Sequence, residues 1–284
     1  MGELVIEVSD LRKSYGPVEA LQGISFDVRR GEVFGLLGPN GAGKTTTVEI
    51  LEGYRARSGG RVRVLGQDPA ERDRGLQERV GIVLQSCGFH PHITVREAVG
   101  HTAKAYPRPR EVDETIALVG LEDKNGERFG RLSGGQRRRL DLALALVGDP
   151  ELVFLDEPTT GFDPAARRSA WTVVGALRDL GKTVLLTTHY LDEAQVLADR
   201  VAIIKDGSLV AQGPPGELSP ASAGYRVSYL AGDRRVEHQT EDPTDLLHRL
   251  TGDALARGER LEGLEVARPT LEDVYLELTT EDDR

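Results

Sequence analysis

Gly38-Pro39-Asn40-Gly41-Ala42-Gly43-Lys44-Thr45 is the stretch that decides the fold. It fills every fixed position of the pattern G-x-x-x-x-G-K-[ST]. The apolar run Val33-Phe34-Gly35-Leu36-Leu37 comes just before it and reads as a buried strand. A helix is predicted from near Gly43 through Leu51. Strand, glycine loop and helix in this order make a phosphate cradle. Glycines let backbone amides converge on phosphate oxygens without Cβ collisions, and a helix start adds positive potential. Gly38, Pro39, Asn40, Gly41, Ala42 and Gly43 would wrap the phosphates, with Lys44 on the β- and γ-phosphates. The Thr45 hydroxyl would ligate magnesium, and Thr46 would sit near the α-phosphate. The competing reading, a glycine turn with a solvated lysine, does not account for the strand before and the helix after.

A second chemical signal is Leu152-Val153-Phe154-Leu155-Asp156-Glu157, two carboxylates at the end of an apolar strand. Ligands of parallel α/β sheets sit at such strand ends. Asp156 is suited to hold magnesium through water. Strand alternation predicts that Glu157 faces the other way, where it could polarise an attacking water. A pair of solvated turn acids is the plain alternative.

The rest of the chain sets limits. Its 284 residues carry 36 Lys+Arg and 46 Asp+Glu, a formal charge of −10 that argues against broad nucleic-acid binding. Hydrophobic residues at 39% and charged residues at 29% fit an ordinary globular protein with a sizeable core. The single cysteine, Cys87, makes no internal disulfide, and a reducing compartment is the natural reading. Met1-Gly2-Glu3-Leu4 does not open like a signal peptide. No apolar run approaches the roughly 18 residues of a membrane helix.

Further strands are predicted at 4–8, 24–28, 61–64, 80–83, 183–187, 201–204 and 208–210. Residues 94 to about 149 read as helical, opened by a capping box at Thr94 and Glu97. Asp163-Pro164 caps a helix reaching about Leu180. Gly213-Pro214-Pro215-Gly216 is a composition break. Beyond it a small α+β appendix is expected, with strands at 225–229 and 261–266 and helices at 245–250 and from Thr270 to Leu278.

Between the two chemical motifs lies Leu132-Ser133-Gly134-Gly135-Gln136. With it the set resembles the nucleotide-binding subunit of ATP-binding-cassette (ABC) transporters over about residues 3 to 217. The resemblance implies an α/β P-loop core with an antiparallel β subdomain and a helical subdomain at about 90–150. It also implies ATP and Mg²⁺ as ligands, and ATP hydrolysis. Two copies, or a paired ATPase subunit, would sandwich two MgATP head-to-tail, with Ser133, Gly134 and Gly135 acting on the opposite subunit's γ-phosphate. Tyr15, followed by Gly16-Pro17-Val18, matches the aromatic that stacks on adenine, with Val18 beside it. Gln85 matches the glutamine that touches magnesium and the catalytic water. His189 matches the switch histidine, and Asp163 the aspartate linking the two sites. Phe162 stands where leucine is commoner.

Pro269-Thr270-Leu271-Glu272-Asp273-Val274-Tyr275 resembles the tail of the drug-resistance type, like daunorubicin exporters. Such subunits pair with a separate polytopic membrane permease and sit peripherally at the cytoplasmic face of the membrane. The expected division is residues 1–217 as ATP-binding domain and 218–284 as accessory domain. An import ATPase, or a soluble relative acting on DNA or ribosomes, is the alternative; the missing long coiled coil and second phosphate loop count against the soluble forms. Cys87, His90 and His92 lack the further ligand a metal site needs. Trp171, with Val174 and Leu177, reads as a core anchor, and Arg137-Arg138-Arg139 as a solvated helix face.

Overall fold

The computed structural model describes residues 2–83, 90–218, 225–231 and 234–267. It forms two compact units, Met1–Gln212 and Gly213–Arg284. The first opens with β1 (Leu4–Tyr15) and β2 (Val18–Arg29), both longer than their apolar cores predict. Register shifts between Val8 and Arg12 break the alternation of β1, so its outer half reads as polar loop while the backbone ladder continues. β3 (Val33–Leu37) follows, then α1 (Lys44–Leu51) and β4 (Gly59–Val64), which pairs with β1. A five-residue helix, α2 (Arg74–Glu78), was too short to show periodicity; β5 (Val80–Val83) comes next.

The helical stretch contains α3 (Val95–Ala103), α4 (Val112–Leu118) and α5 (Gly134–Leu146). The capping box at Thr94 and Glu97 is present. β6 (Leu152–Asp156), α6 (Pro164–Asp179) and β7 (Thr183–Thr188) continue the chain. α7 (Leu191–Leu197), unpredicted, precedes β8 (Arg200–Lys205) and β9 (Ser208–Gly213). Asp206 and Gly207 join β8 to β9 with φ values of 47° and 76°, the twist-matched geometry of a two-residue hairpin.

The central sheet has the order β5-β6-β7-β3-β8-β9, parallel from β5 through β8. Strand alternation divides its side chains between two cores. Phe34, Leu36, Phe154 and Leu185 pack with the antiparallel sheet β2-β1-β4 and with α1. Val33, Val153, Leu155, Val184 and Leu186 pack with α3, α5 and α6. Phe26 of β2 stacks on Phe34 at 5.5 Å, tying the two sheets together.

The second unit has β10 (Tyr225–Ala231) between β11 (Arg234–Thr240) and β12 (Glu262–Ala267), with α8 (Pro243–Ala256) connecting the outer strands. Asp242 caps α8 by accepting from the Thr244 and Asp245 amides. Among the unit's described residues Val227, Leu246 and Ala254 are buried apolar side chains, and Ser228 is buried too. β11 escaped the sequence reading because its residues are mostly polar; β10 supplies the pairing. The helix expected from Thr270 lies outside the described residues.

Glu151, just before β6, binds Arg79 and Arg30, the latter at 2.8 Å. The Arg79 guanidinium, and after it Arg30, holds its carboxyl down at about 2. A depressed folded pKa stabilises above the ordinary value of 4.5 and is lost as pH falls toward 2. Glu151→Gln should cost about 1 kcal/mol at pH 7, modest because the group is partly exposed. In urea melts that deficit should shrink between pH 5 and about 2; a pH-independent deficit would contradict the ionic origin.

Candidate active site

The phosphate loop leaves β3 at Gly38 and enters α1 at Lys44. A Cβ on Gly38 would lie 2.3 Å from the Ile204 carbonyl oxygen, so only glycine fits. Gly43 has φ +108°, and a Cβ there would lie 2.7 Å from Leu21 Cδ2. Gly41, at φ +85°, faces open space. Buried Ala42 accepts from the Gly207 amide at 3.1 Å, pinning the loop to the β8–β9 hairpin. The loop is held from behind and open in front.

Lys44 is 4% exposed, and its Nζ donates to the carbonyls of Gly38 at 2.8 Å and Pro39 at 3.1 Å. Burial pushes its pKa down, opposed by Glu157 and Asp156. Thr45 is exposed and Thr46 half-buried at the start of α1.

Asp156 ends β6, in register with Thr187 of β7. The Thr187 hydroxyl donates to Asp156 Oδ1 and accepts the Glu157 amide at 3.0 Å. Glu157 has φ +44°. The two carboxylates part because the backbone turns left-handed there, which corrects the expectation from strand alternation. Glu157 Oε1 lies 3.7 Å from Lys44 Nζ and 3.5 Å from His189 Nδ1, and Oε2 accepts from the Thr160 hydroxyl at 3.1 Å. His189 Nδ1 is buried without a hydrogen-bond partner, and the ring lies 4.1 Å from that of Tyr190. Lys44, Asp156, Glu157 and His189 thus come together from three strand ends.

Ser133 caps α5, accepting from the Gln136 amide at 3.3 Å, while Gln136 Oε1 accepts from the Ser133 amide at 2.9 Å. Nothing lies within 4 Å of where a Gly134 Cβ would be. Among the described residues no hydrogen bond or ion pair joins Ser133, Gly134, Gly135, Tyr15 or Val18 to the Lys44 cluster. Tyr15 and Val18 are exposed at the β1–β2 turn, with Lys13 Nζ 4.9 Å and Arg55 Cζ 5.3 Å from the Tyr15 ring centre. Asp163 caps α6, its Oδ1 accepting from the Ala166 amide at 2.8 Å. Gln85 and Cys87 lie outside the described residues.

The arginine triplet is corrected. Arg138 is buried and donates to the carbonyls of Pro158 and Asp156, each at 3.2 Å. Arg137 covers the Phe129 ring at 5.1 Å, and Arg139 donates to the Gly120 carbonyl at 3.2 Å. Arg138 shares a helix face with buried Asp141, Leu142 and Ala145, a spacing that the triple-arginine run obscures. Thr187 was also passed over, being read only as strand.

The donors fit a magnesium nucleotide. The cradle has no room for a side chain at Gly38 or Gly43, Lys44 supplies the cation, and Thr45 with Asp156 offers the hard oxygens that Mg²⁺ takes alongside phosphate and water. A strand, glycine loop and helix with this lysine define a P-loop α/β nucleotide-binding protein. The ABC transporter family profile matches residues 21–160. The chain is 38% identical to the Nod factor export ATP-binding protein I of Burkholderia pseudomallei (strain 1710b), covering 96% of each. It is 36% identical to the daunorubicin resistance ATP-binding protein DrrA3 of Streptomyces coeruleorubidus, covering 100% of this chain and 98% of that one. Among solved structures, cbiO1 of Clostridium perfringens, part of the ABC transporter complex cbiONQ, is 28% identical with TM-score 0.69, covering 76% of this chain and 90% of that one. The ADP conformation of another ABC transporter cassette is 25% identical with TM-score 0.65, covering 74% and 91%. The chain belongs to the ABC transporter family as an ATP-binding subunit, and it hydrolyses ATP.

Arg138→Leu strips the donors from two backbone carbonyls beside the acidic pair. Thermal melts should show a loss of about 2 kcal/mol. Displacing the Asp156-Glu157 turn should lower ATP turnover at least about tenfold. A variant unchanged in both would show that these bonds hold nothing in place.

Proposed function

We propose that this subunit powers an exporter, pairing head-to-tail with a second ATP-binding subunit and driving a separate membrane permease that moves an amphipathic molecule outward. The observation that carries the chemistry is the convergence of Lys44, Glu157 and His189. Amides of Gly38–Gly43 cradle the phosphates, and Lys44 neutralises the β- and γ-phosphates. Thr45 and Asp156, with Gln85, hold Mg²⁺, which supplies charge neutralisation on the phosphate oxygens. Glu157 takes the proton of the attacking water, and His189 contacts the γ-phosphate. Tyr15 and Val18 support the adenine. Ser133, Gly134 and Gly135 present the α5 start to the nucleotide of the partner subunit, and Asp163 links the two sites.

Export is supported by the relatives, whose names specify Nod factor export and daunorubicin resistance. No helix among the described residues is long and apolar enough to cross a membrane, and the proposed permease would supply the path. A cavity of about 480 Å³, lined by Leu51, Tyr54, Leu76, Ile82, Tyr106 and Leu144, is the proposed permease contact. Val80 and Ile82 of β5 form part of its wall. The subunit would sit on the cytoplasmic face, with residues 1–217 as the ATPase and 218–284 as an accessory domain.

Glu157→Gln should keep MgATP binding while turnover falls by roughly 10²–10⁴, the usual worth of a positioned base. Tagged Glu157→Gln protein, recovered from detergent-solubilised membranes with MgATP, should bring down a polytopic membrane protein in stoichiometric amount. Recovery of ribosomes or DNA-repair proteins instead would remove the transport reading. Ser133→Arg should abolish ATP-dependent dimerisation and leave the monomer's nucleotide affinity unchanged. A variant that dimerises normally would refute the role of Ser133 in trans.

A further inference from the structure

Glu193 is a carboxylate with no solvent exposure that none of these roles uses. It stands in the first turn of α7 where three segments meet. The Trp171 indole of α6 donates to its Oε1 at 3.1 Å. Its Oε2 is buried without a hydrogen-bond partner, as is the hydroxyl of Thr159, two residues past Glu157. Burial pushes the Glu193 carboxyl pKa up, while the nearby Thr188 and Thr159 hydroxyls and the Trp171 indole draw it back. Thr188 ends β7, next to His189, and its hydroxyl accepts the Tyr190 amide at 3.0 Å.

A second contact runs beside the first. Arg167, one helical turn before Trp171, lies 4.1 Å over the Tyr190 ring and donates to Asp192 Oδ2 at 3.1 Å. Tyr190, Asp192 and Glu193, which follow His189, are therefore tied to α6, and Asp163 caps the start of that helix. A buried acid costs stability unless its bonds repay the desolvation. A single indole bond does so only in part, so the placement of Glu193 calls for more than packing.

We propose that Glu193 is a positioning residue: clamped by Trp171 against the Thr159 and Thr188 segments, it fixes His189 at its distance from Glu157. This rests on the reading of His189 as the γ-phosphate contact. Through Trp171 and Arg167, a shift of α6 reaches His189 without passing through the nucleotide. The clamp touches no reacting atom, so it acts on the geometry of the transition state and leaves ground-state binding alone.

The test is steady-state ATPase kinetics of the full chain with a double-mutant cycle. Glu193→Ala should lower kcat at least about tenfold while KM for ATP stays within about twofold. Glu193→Gln keeps an oxygen for the Trp171 indole and should restore kcat to within about threefold of the parent. Trp171→Phe removes the donor but keeps a ring, and it should lower kcat in the direction of Glu193→Ala; it serves where the alanine variant fails to fold. In a His189→Ala background, Glu193→Ala should cause no further loss. A full additional loss there, a rise in KM matching the fall in kcat, or an unchanged Trp171→Phe would overturn the proposal. Full turnover by His189→Ala alone would instead bring down the γ-phosphate role of His189, a failure distinct from that of the clamp.

Discussion

The ammonium of Lys44 is the group on which the site depends. A buried lysine is costly unless its donors are used. Here they reach back to the Gly38 and Pro39 carbonyls and lie within 3.7 Å of Glu157. That demand closes the glycine loop into a ring around the amine. It also fixes the distance between the start of α1 and the end of β6, because Glu157 is the carboxylate within reach. Of the loop's amides, that of Ala42 turns back to the Pro39 carbonyl at 3.2 Å.

The sheet makes this closure possible. Its central strands β3, β6 and β7 are buried on both faces, and alternation sends Phe34 and Leu36 to one core and Val33 to the other. β3 is therefore gripped between β7 and β8, with Phe26 stacked on one side and α7 packed against it. Its C-terminal end lies beside those of β7 and, one strand further, β6. Thr187 then bridges Asp156 and the Glu157 amide, so that acid placement follows from strand register rather than from the turn alone. The left-handed turn at Glu157 persists because Thr187 and Thr160 hold its two ends.

The residues whose chemistry demands particular types were legible. The glycine loop and Asp156-Glu157 could be read from residue types and spacing, whereas Ser133-Gly134-Gly135 drew its role only from resemblance to the family. What stayed hidden depends on partners distant in sequence. Thr187 is an ordinary strand threonine until the register sets it opposite Asp156. Arg138 reads as surface until α5 lies against the Asp156 turn, and Glu193 as one acid among many until the Trp171 indole meets it. Strands such as β11, with polar residues on most positions, carry no periodic signal, and neighbouring backbone alone defines them.

The helix starts divide the work further. α3, α5, α6 and α8 begin on Thr94, Ser133, Asp163 and Asp242, whose side chains accept amides that would otherwise lack partners. α1 begins on Gly43 with no side-chain acceptor. Its first amides are left to water or a ligand, and the adjoining buried cation favours an anionic one. α5 differs again: Ser133 and Gln136 satisfy each other, while Gly134 carries no side chain to shield its end of the helix. That start attracts an anion but has no lysine beside it to hold one alone. On the proposed reading, a nucleotide held at α1 of one chain would be completed by α5 of another, so that pairing of two chains would rest on how their helices are capped.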